Sequence, residues 1–264
     1  MSTLYIVATP IGNMEDITLR AIRVLKEVDL IAAEDTRETR KLLARYGIST
    51  PVVSYYEHNE REKAPVLVEI LKTGKNIALT SDAGTPGISD PGYRLVKLAL
   101  KENIPVVPIP GPSALTSILS VAGLPMDEFT FKGFIPAKPQ QRKKFLRELG
   151  NNPSTFIFYE SARRLKQTLE DIRELLEGSE IAIGRELTKL YEEIIRGDVG
   201  GVIGALKGRE VKGEVTVVLR TKKAGAEGKN SEAELRRLLS AGIPLNDAAK
   251  AVAKEFGLPK SSVY

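Results

Sequence analysis

The feature that most constrains this chain is a repeat in its first hundred or so residues. A short apolar run is followed by a loop rich in Gly, Pro, Asp or Thr, and then by a segment of helical periodicity. The apolar runs are Leu4–Ala8, Leu30–Ala33, Val52–Tyr55, Ile77–Thr80 and Pro105–Ile109. The helical segments are Thr18–Lys26, Arg37–Tyr46, Glu60–Lys72, Tyr93–Lys101 and Ser113–Ala122. Strands that alternate with helices can pair in parallel only if each helix crosses over the sheet, so this pattern predicts a parallel sheet wrapped by helices.

The rhythm breaks near Pro125. Phe129–Phe134 opens a second set of elements: a basic helix, the strand Thr155–Tyr159 and the helix Ser161–Glu177. The runs Ile181–Arg185, Glu192–Ile195 and Glu214–Arg220 then follow with less helix between them, which predicts a mixed or antiparallel α+β unit. The expected division is 1–113 for the parallel unit and 114–221 for the mixed one. A polar, Gly-containing linker at 222–230 leads to a helical tail at 231–264. In the tail, Ser231–Ser240 carries a capping-box pair in Ser231 and Glu234, Leu245–Phe256 is a second helix, and Leu258 to Ser262 starts a third, a spacing like that of a helix-turn-helix.

At 264 residues and 42% hydrophobic composition the chain can bury more than one core. It has no cysteine, which removes disulfides, thiolate metal ligands and a cysteine nucleophile. No basic leader precedes the first strand and no apolar run approaches a membrane span, so a soluble cytoplasmic protein is expected.

Ligands of an open parallel sheet bind beyond the carboxyl ends of its strands. The loops expected to form that rim are Thr9 to Asn13, Glu34 to Arg37, Glu57 to Asn59, Ser81 to Gly87 and Pro110 to Ser113. The fourth is the most informative: from Thr80 to Gly92 it holds three glycines and two prolines among Ser81, Asp82, Thr85, Ser89 and Asp90. Such a backbone admits a ligand closely, and the loop is longer than a connection requires. Neither G-x-G-x-x-G after the first strand nor G-x-x-x-x-G-K-[ST] occurs, so the usual dinucleotide and P-loop fingerprints are absent.

The net charge of +5 rests on 39 Lys and Arg against 34 Asp and Glu. The basic residues gather at Lys138, Arg142, Lys143, Lys144 and Arg147, at Arg163, Arg164 and Lys166, at Lys207, Arg209 and Lys212, and at Lys222 and Lys223. Solvated helix faces are the commoner explanation of any one such cluster; four together shift the balance toward a polyanion-binding surface.

The rim loops, together with Phe131-Lys132-Gly133-Phe134, Tyr159-Glu160-Ser161, Gly184 to Lys189 and Gly213 to Val217, closely resemble the family of ribosomal RNA small subunit methyltransferases I. The resemblance spans nearly the whole chain. It implies the α/β tetrapyrrole-methylase fold, with the cofactor S-adenosylmethionine in the cleft between two domains and no metal. It further implies methyl transfer to the ribose 2′-hydroxyl of a cytidine in the decoding region of small-subunit ribosomal RNA, free or in the assembled small subunit, by a homodimer. The cofactor contacts it implies are Pro10, Asp82, Ala83, Gly84, Thr85, Ser113, Ala114, Tyr159, Leu187 and Gly213.

An in-line displacement at a weakly acidic hydroxyl needs a proton acceptor and a group that stabilises the oxyanion or holds the adjacent phosphate. Glu34, His58, Arg185, Glu186 and Lys189 are the candidates: Glu186 or Glu34 for the proton, Arg185 or Lys189 for the negative charge. His58, the only histidine, is equally a structural residue of a turn. The family often has a second histidine where this chain has Tyr56. For RNA the candidates are Lys138, Arg142, Lys143, Lys144, Arg147 and Arg163. Competing readings are a porphyrinoid methyltransferase of the same fold, a non-enzymatic RNA-binding protein, and a sugar-phosphate or nucleotide enzyme.

Overall fold

A computed structural model describes residues 2–151, 153–222 and 231–256. In the first half, strands β1 (Leu4–Val7), β2 (Leu30–Ala33), β3 (Val52–Ser54), β4 (Ile77–Thr80) and β5 (Val106–Ile109) alternate with helices. These are α1 (Leu19–Glu27), α2 (Thr36–Arg45), α3 (Glu60–Lys72), α4 (Tyr93–Lys101) and α5 (Ala114–Ala122). All strand pairs are parallel, in the order β3-β2-β4-β1-β5.

Helices cover both faces because successive side chains of a strand point to opposite sides. In β1, Tyr5 and Val7 join a core with α1 and α2, whereas Leu4 and Ile6 join one with α3 and α4. The helices supply stripes at helical spacing. Ala21, Val24 and Leu25 are buried on α1, which is capped by the Thr18 hydroxyl accepting from the Ala21 N–H at 3.1 Å. On α2 the buried residues are Thr39, Leu42 and Leu43, and Asp35 accepts from the Arg37 N–H at 2.8 Å.

The second half contains β6 (Phe129–Phe134), α6 (Pro139–Leu149), β7 (Thr155–Ser161), α7 (Ala162–Leu175), β8 (Glu180–Arg185), β9 (Glu193–Asp198), α8 (Val199–Ala205) and β10 (Glu214–Arg220). Its sheet runs β6-β7-β10-β8-β9, with β6 and β7 parallel and the remaining pairs antiparallel. Alternation again divides the residues. Phe156 and Phe158 of β7, Ile181 and Ile183 of β8, and Val215, Val217 and Leu219 of β10 pack under α6, α7 and α8. Ile157, Ala182 and Val218 face the other way, onto Ile118, Leu119 and Ala122 of α5. Ile11, from the loop after β1, and Leu187, from the loop after β8, close the same core. Thus α5 follows the last strand of one sheet and is buried against the other, which joins the two halves.

Helix α8 is a short helix that the sequence reading did not delimit. Val199–Ala205 contains three glycines, yet Asp198 caps the helix, accepting from the Gly201 N–H at 2.9 Å, and Val199 and Val202 are buried. In the tail, α9 (Ser231–Ser240) and α10 (Leu245–Phe256) pack on one another around Leu235, Leu238, Ala249, Val252 and Ala253. Most of the expected linker, the Ser231 side chain of the capping box and the start of a third helix lie outside the described residues.

Candidate active site

The carboxyl ends of β1, β2, β4 and β5 converge on a cavity of about 480 Å³ whose opposite wall comes from the second sheet. Two of its loops are tied as in a sheet. The Thr9 N–H donates to the Gly84 carbonyl at 2.9 Å, the Gly84 N–H returns to Thr9 at 3.0 Å, and the Thr9 hydroxyl donates to the Ser81 carbonyl at 3.0 Å. Gly84 sits at φ 79, where a side chain is strained, and this lets the loop fold back over Ile11.

Three carboxyl groups line the first-half wall: Glu34, Asp82 and Asp90. The Asp82 carboxylate accepts from the Asp35 N–H at 2.9 Å, and Glu34 accepts from the Asp82 N–H at 3.3 Å. Burial pushes all three upward, and neighbouring carboxylates add to it: Asp82 and Asp35 for Glu34, Asp35 and Glu38 for Asp82, Glu34 and Asp82 for Asp90. Asp90, with Glu34 and Asp82 both near it, is pushed up to about 7. Burial and the nearby Asp90 also push the Tyr159 hydroxyl up; the two residues line the cavity from opposite halves. Carboxyls gathered in one partly apolar cleft can attract a cation.

The second-half wall consists of Phe134, Tyr159, Glu160, Ser161 and the segment Gly213 to Thr216. Glu160 is buried and fully engaged. Its carboxylate accepts from the Ser161 N–H at 2.7 Å and the Thr168 hydroxyl at 2.6 Å, and pairs with Arg164 at 2.6 Å. Gly213 is at φ 90, and a Cβ there would fall inside the Glu186 carboxyl group, so glycine is required on two counts. Glu186 and Thr188 take positive φ of 50° and 66°, and Ser89, on the opposite wall, takes 67°. Such strain in non-glycine residues is held in place only by dense bonding, and it gathers at functional sites.

Eight of the ten expected cofactor contacts line this cavity: Asp82, Ala83, Gly84, Thr85, Ser113, Ala114, Tyr159 and Gly213. Pro10 lines an adjoining cavity of about 350 Å³, which shares Ile11, Asp82, Ala83 and Glu214 with the first. Leu187, at 7% exposure, lies in the core beneath. Among the expected catalytic residues, Glu34 lines the main cavity and Lys189 the adjoining one. The Lys189 ammonium is bound at 3.0 Å to both Glu186 and Glu214, and Glu186 also accepts from the Glu214 N–H, which holds its carboxyl below the usual range. Arg185 pairs with Glu193 at 3.2 Å and donates to the Lys212 carbonyl, away from the lining.

His58 is not brought to the cleft. It is exposed, edge-on to Tyr56 at 6.2 Å, because β3 is the outermost strand and its loop lies beyond β2. The loops after β1, β2, β4 and β5 form the rim; the third expected loop does not. Residues the sequence reading did not select as contacts include Ile11, Ile88, Asp90, Phe134, Val215 and Thr216. Asp90 and Ile88 sit in the long Gly/Pro loop, and that length was the available signal.

Of the basic residues, Lys138, Lys144, Arg147 and Arg163 are exposed. Arg142 requires correction. It is 2% exposed and bound to the equally buried Asp171 at 2.7 Å, because it lies on the face of α6 that packs on α7. Lys143 is half-buried and pairs with Glu174 at 2.6 Å. Among the described residues no cluster of His, Cys, Asp and Glu is arranged to hold a metal, and no helix is long and apolar enough to cross a membrane.

The model of the tetrapyrrole (corrin/porphyrin) methylases matches residues 3–203. Ribosomal RNA small subunit methyltransferase I of Halalkalibacterium halodurans is 44% identical over 269 residues, covering 99% of this chain and 93% of its own. The protein of that name in Thermotoga maritima is 47% identical over 222 residues, which cover 84% of this chain and 100% of that one. Among solved structures, the methyltransferase CobJ superposes with a TM-score of 0.62 at 18% identity, covering 84% of this chain and 95% of that one. Uroporphyrin-III C-methyltransferase from Thermus thermophilus, in complex with S-adenosylhomocysteine, gives 0.57 at 19%, covering 82% and 97%. With a family model matched over most of its length and relatives this similar from end to end, the chain belongs to the tetrapyrrole methylase family and, within it, to the ribosomal RNA small subunit methyltransferases I.

Proposed function

We propose that this chain transfers the methyl group of S-adenosylmethionine to the ribose 2′-hydroxyl of a cytidine in the decoding region of small-subunit ribosomal RNA. The observation that carries the reading is the two-walled cavity, in which Glu34, Asp82 and Asp90 lie on one wall and Tyr159 and Val215 on the other. These residues fit the cofactor. Carboxylates complement a sulfonium and an ammonium, Ile11, Ala114 and Val215 offer apolar surface, and the open backbone at Gly84 admits a ligand closely.

When bound, the cofactor supplies a methyl group activated on a cationic sulfur. Asp82 is fixed by the Asp35 N–H and serves as an anchoring carboxylate. Glu34 and Asp90 keep proton affinities nearer neutrality than ordinary carboxyls, which suits them to accept the hydroxyl proton. Glu186, bound to Lys189 and the Glu214 N–H, is a support for the rim. Lys189 lines the adjoining cavity, where it would hold negative charge on the substrate by exchanging one of its two carboxylate partners, Glu186 or Glu214.

The RNA would lie along the exposed Lys138, Lys144, Arg147 and Arg163, either as free ribosomal RNA or in the assembled small subunit. We place the reaction in the cytoplasm, performed by a homodimer; Tyr93 and Leu100, seven apart and exposed on α4, offer apolar surface for a second copy. The test is incubation with methyl-labelled S-adenosylmethionine and small subunits, or their extracted RNA, from cells lacking the activity, followed by nuclease mapping and mass spectrometry. Label on a ribose 2′-oxygen is the expected result. Cofactor binding with no label on RNA overturns the assignment and favours a porphyrinoid substrate.

A further inference from the structure

Strand β6 changes register before it ends. Phe131 pairs with Ile157 and Phe134 with Tyr159, so three steps along β6 match two along β7, with Gly133 at φ 62 inside the irregularity. Regular alternation would send Phe131 and Phe134 to opposite faces. The extra residue returns them to the same face, where both rings lie against Tyr159 with centroid separations of 5.1 and 5.3 Å.

The outcome is a row of three rings ending in the cavity lining. Phe131 and Tyr159 are half-buried, while Phe134 remains 64% exposed. In the chain Lys138 follows Phe134 by four residues and Arg163 follows Ser161 of the lining by two. Both are exposed and, among the described residues, neither is in an ion pair. An aromatic ring held open at a cavity, on a chain that also carries exposed unpaired cations, matches unstacked nucleotides, whose bases need a flat apolar surface and whose phosphates need positive charge.

We propose that Phe134 is a stacking shelf for a base of the RNA substrate, holding a splayed nucleotide at the cleft mouth while Lys138 and Arg163 hold neighbouring phosphates. This rests on the ribosomal RNA reading above and adds the element that orders the strand before methyl transfer. Because every base has a π-face, the shelf favours an unpaired strand over a duplex.

The test is steady-state methyl transfer to purified small ribosomal subunits by wild type, Phe134→Tyr, Phe134→Leu and Phe134→Ala, with S-adenosylmethionine affinity measured calorimetrically for each. Stacking on one ring is worth roughly 5- to 150-fold in binding. Phe134→Ala is therefore expected to raise KM for the subunit by about tenfold or more, Phe134→Leu to recover little, and Phe134→Tyr to stay near wild type. Because Phe134 lines the cavity yet is 64% exposed, cofactor affinity should fall far less than KM rises across the four. Unchanged KM in the alanine variant, a leucine variant equal to wild type, or a loss of cofactor affinity as large as the rise in KM each overturns the shelf; the last would put the adenine of the cofactor on the ring. A wild type that binds cofactor yet methylates no ribosomal RNA overturns the underlying reading and the shelf with it.

Discussion

Asp90 illustrates how a single residue can trade stability for function. Burial near Glu34 and Asp82 raises its pKa from 3.8 to about 7, so the folded chain holds a proton that the unfolded chain releases over that range. Stability therefore falls as pH rises between about 4 and 7, and the deficit is complete above the folded value. Asp90→Asn should raise the Tm of the ligand-free protein by a few degrees at pH 8 and leave it unchanged near pH 4, as scanning calorimetry would show. The same carboxyl must be ionised to attract a cation. Wild-type affinity for S-adenosylmethionine is thus expected to weaken as pH drops below 7, with a flatter titration profile in the variant. Gly213→Ala tests the opposite rim. Positive φ and collision with the Glu186 carboxyl should cost about 1–3 kcal/mol in urea unfolding and disturb the Glu186–Lys189–Glu214 group.

Helix α6 shows why a basic cluster in sequence is not one surface. Its eleven residues include Arg142, Lys143, Lys144 and Arg147, but the buried Leu146 and Leu149 fix which side faces α7, and Arg142 falls on that side. Removing one partner of a buried pair strands the other charge, so Arg142→Ala should cost about 3–5 kcal/mol, read as a lower urea midpoint. Arg142→Met combined with Asp171→Leu should recover most of that loss. The exposed cations should behave otherwise. Replacing Lys138, Lys144, Arg147 or Arg163 by Gln should leave Tm within about a degree. Each that touches a phosphate should reduce the salt dependence of binding to single-stranded RNA by about 0.7 in logarithmic slope. Helix α8 carries the complementary lesson. Its glycines hide it from a reading by propensity, and a cap at Asp198 with two buried valines suffices to form it.

Across the whole molecule the two sheets are joined by α5 and by loop contacts such as the Asn13 N–H donating to the Thr188 hydroxyl at 2.9 Å, whereas α9 and α10 have a core of their own. A chain ending at residue 222 is therefore expected to melt as the full chain does and to bind S-adenosylmethionine with equal affinity. A drop of several degrees would show that the tail packs on the sheets. The βα alternation, the parallel first sheet, the mixed second sheet and the long loop after β4 were all legible in the sequence, because each follows from periodicity or from Gly and Pro within a few residues. Eight of the ten expected cofactor contacts could be placed on one cavity through resemblance to a family, since a cavity built from several loops has no local signal of its own. Strand order was not legible. Only the fold puts β3 at the edge and so removes His58 from the rim, turns Arg142 inward, and shifts β6 by one residue to leave Phe134 open beside Tyr159. Local pattern determines which segments form helices and strands; which side chains meet is decided by packing between elements far apart in the chain, and the cleft belongs to that second level.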